Sequence, residues 1–250
     1  MNLREKALKG LKLDDILVID ADAHYIEEWL TGYDKYMETM DRIGIDKIAC
    51  SMIDLEFADL YPDRVLAKRP YDGYSDEVDD LKRWMDKPGT IGFGEINPNG
   101  HGQPCTGRFF DKMWEVADSK KAMVLMHTWY PNPYCDPDML VEIADRYPNV
   151  LITLIHSGGS VEGMIKSARL VKKYENIYME LNNTGHHYGE IEYLAKHTDI
   201  NKVFYGSDWS SEDFASHFGP ILFARVSEKI KEKILGLNFK HAMERMGRYR

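Results

Sequence analysis

The stretch LVIDADAHYIEEW, residues 17–29, begins as an apolar strand and then sets Asp20, Asp22 and His24 at alternate positions. Successive side chains of a strand point to opposite faces, so this spacing predicts that the three groups face the same way, toward whatever the strand packs around. Ionisable groups in a dry interior are costly unless a metal ion, a fixed cationic partner or a wet cleft at the strand's end compensates them.

Working outward, short apolar runs alternate with amphipathic segments along the whole chain, with no low-complexity linker or internal repeat. That alternation is the pattern of βα units and a parallel sheet. Strands are predicted near residues 16–22, 46–52, 64–69, 90–96, 122–127, 150–155, 176–181 and 202–207. Between them the helical period recurs in four stripes: Tyr36, Met37, Met40 and Ile43; Val78, Leu81, Trp84 and Met85; Phe110, Met113, Trp114 and Ala117; Val161, Met164, Ile165 and Ala168. The second connection, IDLEFADLYP, is too short for a full crossover helix. Eight βα units in 250 residues predict an α/β fold, a single (β/α)8 TIM-type barrel with a shortened second crossover. It would occupy residues 1–250 as one domain, with 1–15 as a charged lead-in. An open doubly wound sheet is the competing arrangement, but no G-x-G-x-x-G or P-loop follows any strand to support nucleotide binding.

Bulk properties narrow the partners. Hydrophobic residues make up 44% and charged residues 29%, as in ordinary globular proteins. A net charge of −9, with no basic patch richer than KEKILGLNFK, argues against nucleic acid or an anionic membrane. Cys50, Cys105 and Cys135 are far apart and form no C-x-x-C pair, which fits reduced thiols and a cytoplasmic location. No signal-peptide-like or membrane-spanning apolar run is present.

In such a barrel, reactive groups lie at the C-terminal strand ends, above the apolar layers of the interior. Alternation gives Val18, Asp20, Asp22 and His24 on strand one; Ile91, Phe93 and Glu95 on strand four; and Met123, Leu125 and His127 on strand five. It gives Ile152, Leu154 and His156 on strand six, and Phe204, Gly206 and Asp208 on strand eight. A single histidine after an apolar strand is ordinarily structural, but five strands sharing one pattern point to a divalent metal. Imidazole and carboxylate donors suit zinc, with manganese or iron possible. The plainer alternative is a buried salt-bridge network, which leaves His127 and His156 without an evident partner.

Over about residues 16–245, IDADAHYIEEW, MVLMHTW, LITLIHSGG, VFYGSDWS and ILGLNFKHAM resemble, in order, the signatures of the amidohydrolase superfamily, specifically its amidohydrolase-2 group. That group contains hydrolases and nonoxidative decarboxylases of the aminocarboxymuconate-semialdehyde and dihydroxybenzoate type. The resemblance implies a metal held by Asp22, His24, His127 and Asp208, with His156 as an acid/base or a ligand of a second metal. The chain departs from the usual H-x-H by having Asp22 first; some decarboxylases of the group carry an acid there, which tilts the reading toward that branch. Glu27 resembles the acid of D-x-H-x-x-E members. Glu95 would either bridge to a second metal with His127 and His156, making a two-metal hydrolase, or only accept a hydrogen bond from a ligand histidine.

The expected reaction is hydrolysis of an amide, ester or lactone in a small cyclic or carboxylated substrate. Asp208 would take a proton from metal-activated water, and His156 would stabilise the oxyanion or protonate the leaving group. The alternative is nonoxidative decarboxylation of an aromatic or unsaturated carboxylate, with Asp208 or His156 as the acid. A third reading is an inactive metal-binding barrel, against which stands the open strand-end position of the site. Trp129, Tyr130, Tyr134, His186, His187 and Tyr188 are expected around the mouth, where aromatic walls suit a planar substrate. Lys68 and Arg69 could bind a substrate carboxylate, surface charge being the plainer role. Barrel enzymes often pair through outer helices, so a homo-oligomer is possible.

Overall fold

A computed structural model describes residues 1–25, 32–52, 55–182, 188–209 and 211–249. The strands are β1 (Ile19–His24), β2 (Lys47–Ser51), β3 (Val65–Arg69), β4 (Thr90–Ile96), β5 (Met123–His127), β6 (Leu151–Ile155), β7 (Ile177–Glu180) and β8 (Val203–Phe204). They pair in parallel in sequence order, forming one eight-stranded sheet. The seam between β8 and β1 is bridged by Ala21 N–H donating to Tyr205 O at 3.0 Å and Asp208 N–H donating to Asp22 O at 2.9 Å. Helices alternate with the strands, and the result is a (β/α)8 barrel. Among its described residues the second crossover holds one helix, the five-residue Glu56–Leu60, as the short connection requires.

Apolar side chains divide into two bodies. Ile19, Ala21, Ala49, Leu66, Ile91, Met123, Leu125, Leu151, Ile155, Tyr178 and Phe204 fill the barrel, and Phe239, Ala242 and Met243 of the helix Asn238–Arg245 join them as a plug. A larger body, including Val18, Ile48, Phe93, Val124, Ile152 and Leu154, lies between sheet and helices. Burial at roughly 25 cal/mol per Å² of apolar surface makes both bodies the main source of stability.

This division corrects three of the inward rows expected from simple alternation. On β1 the register gains a residue between Asp20 and Ala23, and Asp20 pairs opposite Ile48 of the outer body. Asp20 therefore faces the helix layer, while the bulge returns Asp22 and His24 to the interior. On β4, Phe93 packs outward, and a second irregularity between Phe93 and Ile96 brings Glu95 inward. On β6 the interior row is Leu151, Thr153 and Ile155, the opposite parity from that expected. A bulge or a turn shifts every later side chain to the other face, and apolar residues on both faces hide the shift.

Three of the four helical stripes pack as expected, with Met40, Leu81 and Trp114 among their fully covered residues. The fourth does so in part, through Met164 and Ala168. Val161 and Ile165 are exposed, and the helix Val161–Lys173 completes its buried row with Leu170 and Val171. No helix among the described residues is long and apolar enough to cross a membrane.

Candidate active site

At the C-terminal ends of the strands an open cleft of about 520 Å³ is lined by His24, Tyr25, Ser51, Pro70, Glu95, Asn97, His127, Trp129, His156, Asp208 and Ser211. The carboxylate of Glu95 is its centre. His127 Nδ1 lies 2.7 Å and His156 Nε2 3.1 Å from Glu95 Oε1, and His24 Nε2 lies 3.6 Å from Oε2. Asp208 Oδ1 is 3.2 Å from the same His24 nitrogen. Glu95 is held in place by β2: its N–H donates to Ser51 Oγ at 2.9 Å, and that hydroxyl donates to Gly94 O at 2.6 Å.

Two donor groups have ligand atoms mutually within 4.8 Å: Glu95, His127 and His156; and Asp22, His24, Glu95 and Asp208. They share Glu95. Two imidazoles, or one, with carboxylates at this spacing suit a divalent transition-metal ion, so the residues present fit such a cation. Of the quartet implied by resemblance, His24, His127 and Asp208 line the cleft while Asp22 lies buried behind it, and the four are divided between the two groups.

Asp22 answers the question of the buried acid. It is fully buried, its Oδ1 accepts from the ammonium of Lys68, itself fully buried, and its Oδ2 accepts from Asn182 Nδ2 at 3.0 Å. The compensation is a fixed cation. Lys68 is therefore not a surface charge and does not line the cleft. Arg69 pairs with Asp76 at 2.5 Å, and it too is absent from the cleft wall. Trp129 lines the cleft, its ring 6.2 Å from that of His127 and nearly parallel. Tyr130 is not in the cleft lining, and Lys166 Nζ lies 4.1 Å from its ring centre. His186, His187 and Glu27 lie outside the described residues.

Local backbone conformation delivers several of these groups. His156, Ser157 and Asp208 all have positive φ, at 61°, 46° and 58°. Such conformations cost about 1–3 kcal/mol each and persist where surroundings impose them. Here Ser157 Oγ donates to Glu180 O at 2.5 Å, and Asp208 N–H is tied to β1. The glycine pair of HSGG follows from packing: Gly159 has φ 67°, and a Cβ there would sit 2.3 Å from the Trp129 ring. The glycine of YGSD makes room for an acid, since a Cβ on Gly206 would lie 2.2 Å from Glu180 Oε1.

Glu180 and Asn182, at the end of β7, were not anticipated, and neither were Lys68 as a partner of Asp22 or Ser51. The rule that found the others would have reached them: Tyr178 and Glu180 alternate inward on β7, and Leu66 and Lys68 do so on β3.

Charge is unevenly distributed. Burial pushes Glu180 well above the usual carboxylate range, with the Asp22 charge adding to it. Burial likewise raises Asp20 to about 7, although Ser207 and the Asp22 amide hydrogen-bond to its oxygens. For Glu95, burial favours the neutral acid, but hydrogen bonds from His127, His156 and His24 outweigh it and hold the group well below its ordinary value. His24 shows the reverse balance: burial opposes its charge, yet Asp208 and Glu95 raise it to about 10.

The barrel, the strand-end cluster and the motif order define a metal-dependent hydrolase-like enzyme class. The sequence model of the amidohydrolase family matches residues 55–238, and the chain belongs to that family. No curated protein matches the sequence. Among solved structures, the chain is similar to 5-carboxyvanillate decarboxylase from Sphingomonas paucimobilis, with a TM-score of 0.71 and 12% identity, covering 92% of this chain and 99% of that one. A probable 2-pyrone-4,6-dicarboxylic acid hydrolase from Acinetobacter baumannii, with citric acid bound, gives 0.69 and 14%, covering 93% and 100%. A dihydroxybenzoic acid decarboxylase from Polaromonas sp. JS666, with manganese and 2-nitroresorcinol bound, gives 0.67 and 15%, covering 92% and 97%. At these identities the likeness is one of fold.

Proposed function

We propose that the chain is a divalent-cation-dependent, nonoxidative decarboxylase of a small planar carboxylate, aromatic or unsaturated. This reverses the order expected from sequence, in which hydrolysis came first. The reading is supported by the company of decarboxylases among similar folds. The observation that carries it is the position of Asp208, at positive φ beside His24 in the cleft that Trp129 also lines.

His24, Glu95, His127 and Asp208 would hold the cation. Asp22, its oxygens engaged by Lys68 and Asn182, would orient the set from behind. A bound divalent ion supplies Lewis-acid attraction for a carboxylate and a neighbouring oxygen, and zinc and manganese both suit these donors. Trp129, Tyr25 and Pro70 would hold the ring flat in the cleft. The bond to the carboxylate carbon breaks, its electron pair stays on the ring or alkene carbon, and carbon dioxide leaves. Asp208 delivers the proton that forms the new C–H bond and recovers one from solvent through the open cleft.

A panel of hydroxybenzoates and unsaturated carboxylates, run beside lactones and amides and read by carbon dioxide release, tests the proposal. Turnover with release and no net uptake of water is expected; hydrolysis alone would reject it. Hydrolysis keeps one specific argument, the sharing of Glu95 by two donor groups, which suits a two-metal site. A stoichiometry near two ions per chain would favour it.

A further inference from the structure

Asp20 takes no part in the chemistry above, yet it is a fully buried carboxyl group on the helix-layer side of β1, turned away from the cleft. Its hydrogen bonds run along the seam where β8 closes on β1. Oδ1 accepts from the N–H of Asp22 and from the N–H of Ser207, each at 3.0 Å, and Oδ2 meets the Ser207 hydroxyl. That hydroxyl accepts from Trp209 N–H at 3.0 Å. Both donors to Oδ1 are backbone groups, so this tie is the same whether or not Oδ2 carries a hydrogen.

The geometry of the site turns on these two amides. A bulge leaves one residue of its strand without a place in the ladder, and Asp22 has none in the pairing of β1 with β2. The Asp20 side chain accepts its N–H instead, the two-residue reach that short acidic side chains make where a chain leaves regular structure. On β8, Ser207 is held to Asp20 by both its N–H and its hydroxyl, and it immediately precedes Asp208 at φ 58°. Asp208 N–H donates to Asp22 O at 2.9 Å. Beyond it, Trp209 is fixed by its N–H on Ser207 Oγ and by its carbonyl, which accepts from His24 N–H. A left-handed conformation at a residue with a side chain persists where its neighbours impose it, and both neighbours of Asp208 are fastened to Asp20 or through Ser207.

We propose that Asp20 and Ser207 are positioning residues that aim the two acids of the seam: one carboxyl group outside the barrel shapes the bulge that turns Asp22 inward and locks the left-handed turn that sets Asp208 beside His24. The value of that aim rests on the reading that Asp208 works in the cleft, but the conformation it predicts does not depend on the reaction.

The test is amide-resolved NMR of the full chain, metal-free and labelled with 13C and 15N, followed by calorimetric titration with zinc. A strong intraresidue HN–Hα cross-peak marks a positive φ, and wild type is expected to show one at Asp208. Asp20→Ala should reduce it to ordinary intensity, speed exchange of the Asp22 and Ser207 amides about tenfold or more, and loosen zinc roughly 10–100-fold. Asp20→Asn keeps an oxygen for both amides and should keep the cross-peak. Ser207→Ala, which removes only the hydroxyl, should weaken the cross-peak while the Asp22 amide stays protected. Ser157→Ala is the control: it takes a buried hydroxyl from the end of β6 and should leave Asp208 unaltered. A wild-type Asp208 without the cross-peak overturns the proposal, as does an unchanged cross-peak in folded Asp20→Ala or, where that variant does not fold, in Ser207→Ala. Loss of the cross-peak in Ser157→Ala would overturn it too, by showing a general loosening of the rim. Zinc affinity unchanged in a variant that has lost the cross-peak would remove the aiming role. If wild type binds no zinc, the cation reading fails while the backbone result stands or falls by itself.

Discussion

β5 and β6 read almost alike, MVLMH and LITLIH, each an apolar run closing on a histidine, but they deliver that histidine by different means. On β5, Met123, Leu125 and His127 follow strand alternation into the barrel, and His127 is the last strand residue. On β6 the interior row is Leu151, Thr153 and Ile155, so alternation would aim His156 at the helices. It reaches the cleft because the chain leaves the strand through two left-handed residues, His156 and Ser157, fastened to β7. The first histidine is placed by a sheet, the second by a strained turn. Periodicity therefore locates where a strand ends more securely than it locates the face a terminal residue takes.

The difference sets an order of expected effects. Supports of the irregular ends are polar and buried, so losing half of one is severe. Lys68→Met would leave Asp22 charged and uncompensated and should cost about 3–5 kcal/mol in urea unfolding. Adding Asp22→Asn should recover most of the loss; a single-variant cost under about 1 kcal/mol would show that the pair is effectively solvated and break the account of β1. Next comes the turn after β6. Gly159→Ala sets a methyl against Trp129 in a left-handed conformation and should cost about 1–3 kcal/mol while shifting tryptophan emission. Unchanged emission would mean that Trp129 is not seated on this turn. The smallest effect is expected for Ser157→Ala, which removes one hydrogen bond to Glu180 O and should cost about 1 kcal/mol, with faster amide exchange confined to the turn. Exchange spreading equally into β5 would erase the contrast between the two strands.

The barrel was largely legible because eight apolar runs separated by amphipathic stripes leave few other folds. The shortened second crossover and the cleft positions of His24, Glu95, His127, His156 and Asp208 were legible for the same reason: each ends a run. Asp20 was misplaced because a bulge has no signature in IDAD, and the row on β6 because Ile152 and Leu154 are as apolar as their inward neighbours. Lys68 was read by type, as a surface charge, when its burial depends on Asp22, 46 positions away. Alternation along β3 gives the inward position of Lys68, but its partner follows from closure of the barrel. Arg69 and Tyr130, expected at the substrate, have contacts with Asp76 and Lys166 that the sequence did not foretell.

We propose that the strand ends converge on a site for one divalent cation. The direct measurement is elemental analysis of the purified protein after chelation and refilling with manganese or zinc, repeated on His127→Ala. About one ion per wild-type chain, lost or loosened roughly 10–100-fold in the variant, is the predicted result. Wild-type protein that takes up no ion from either metal would contradict it.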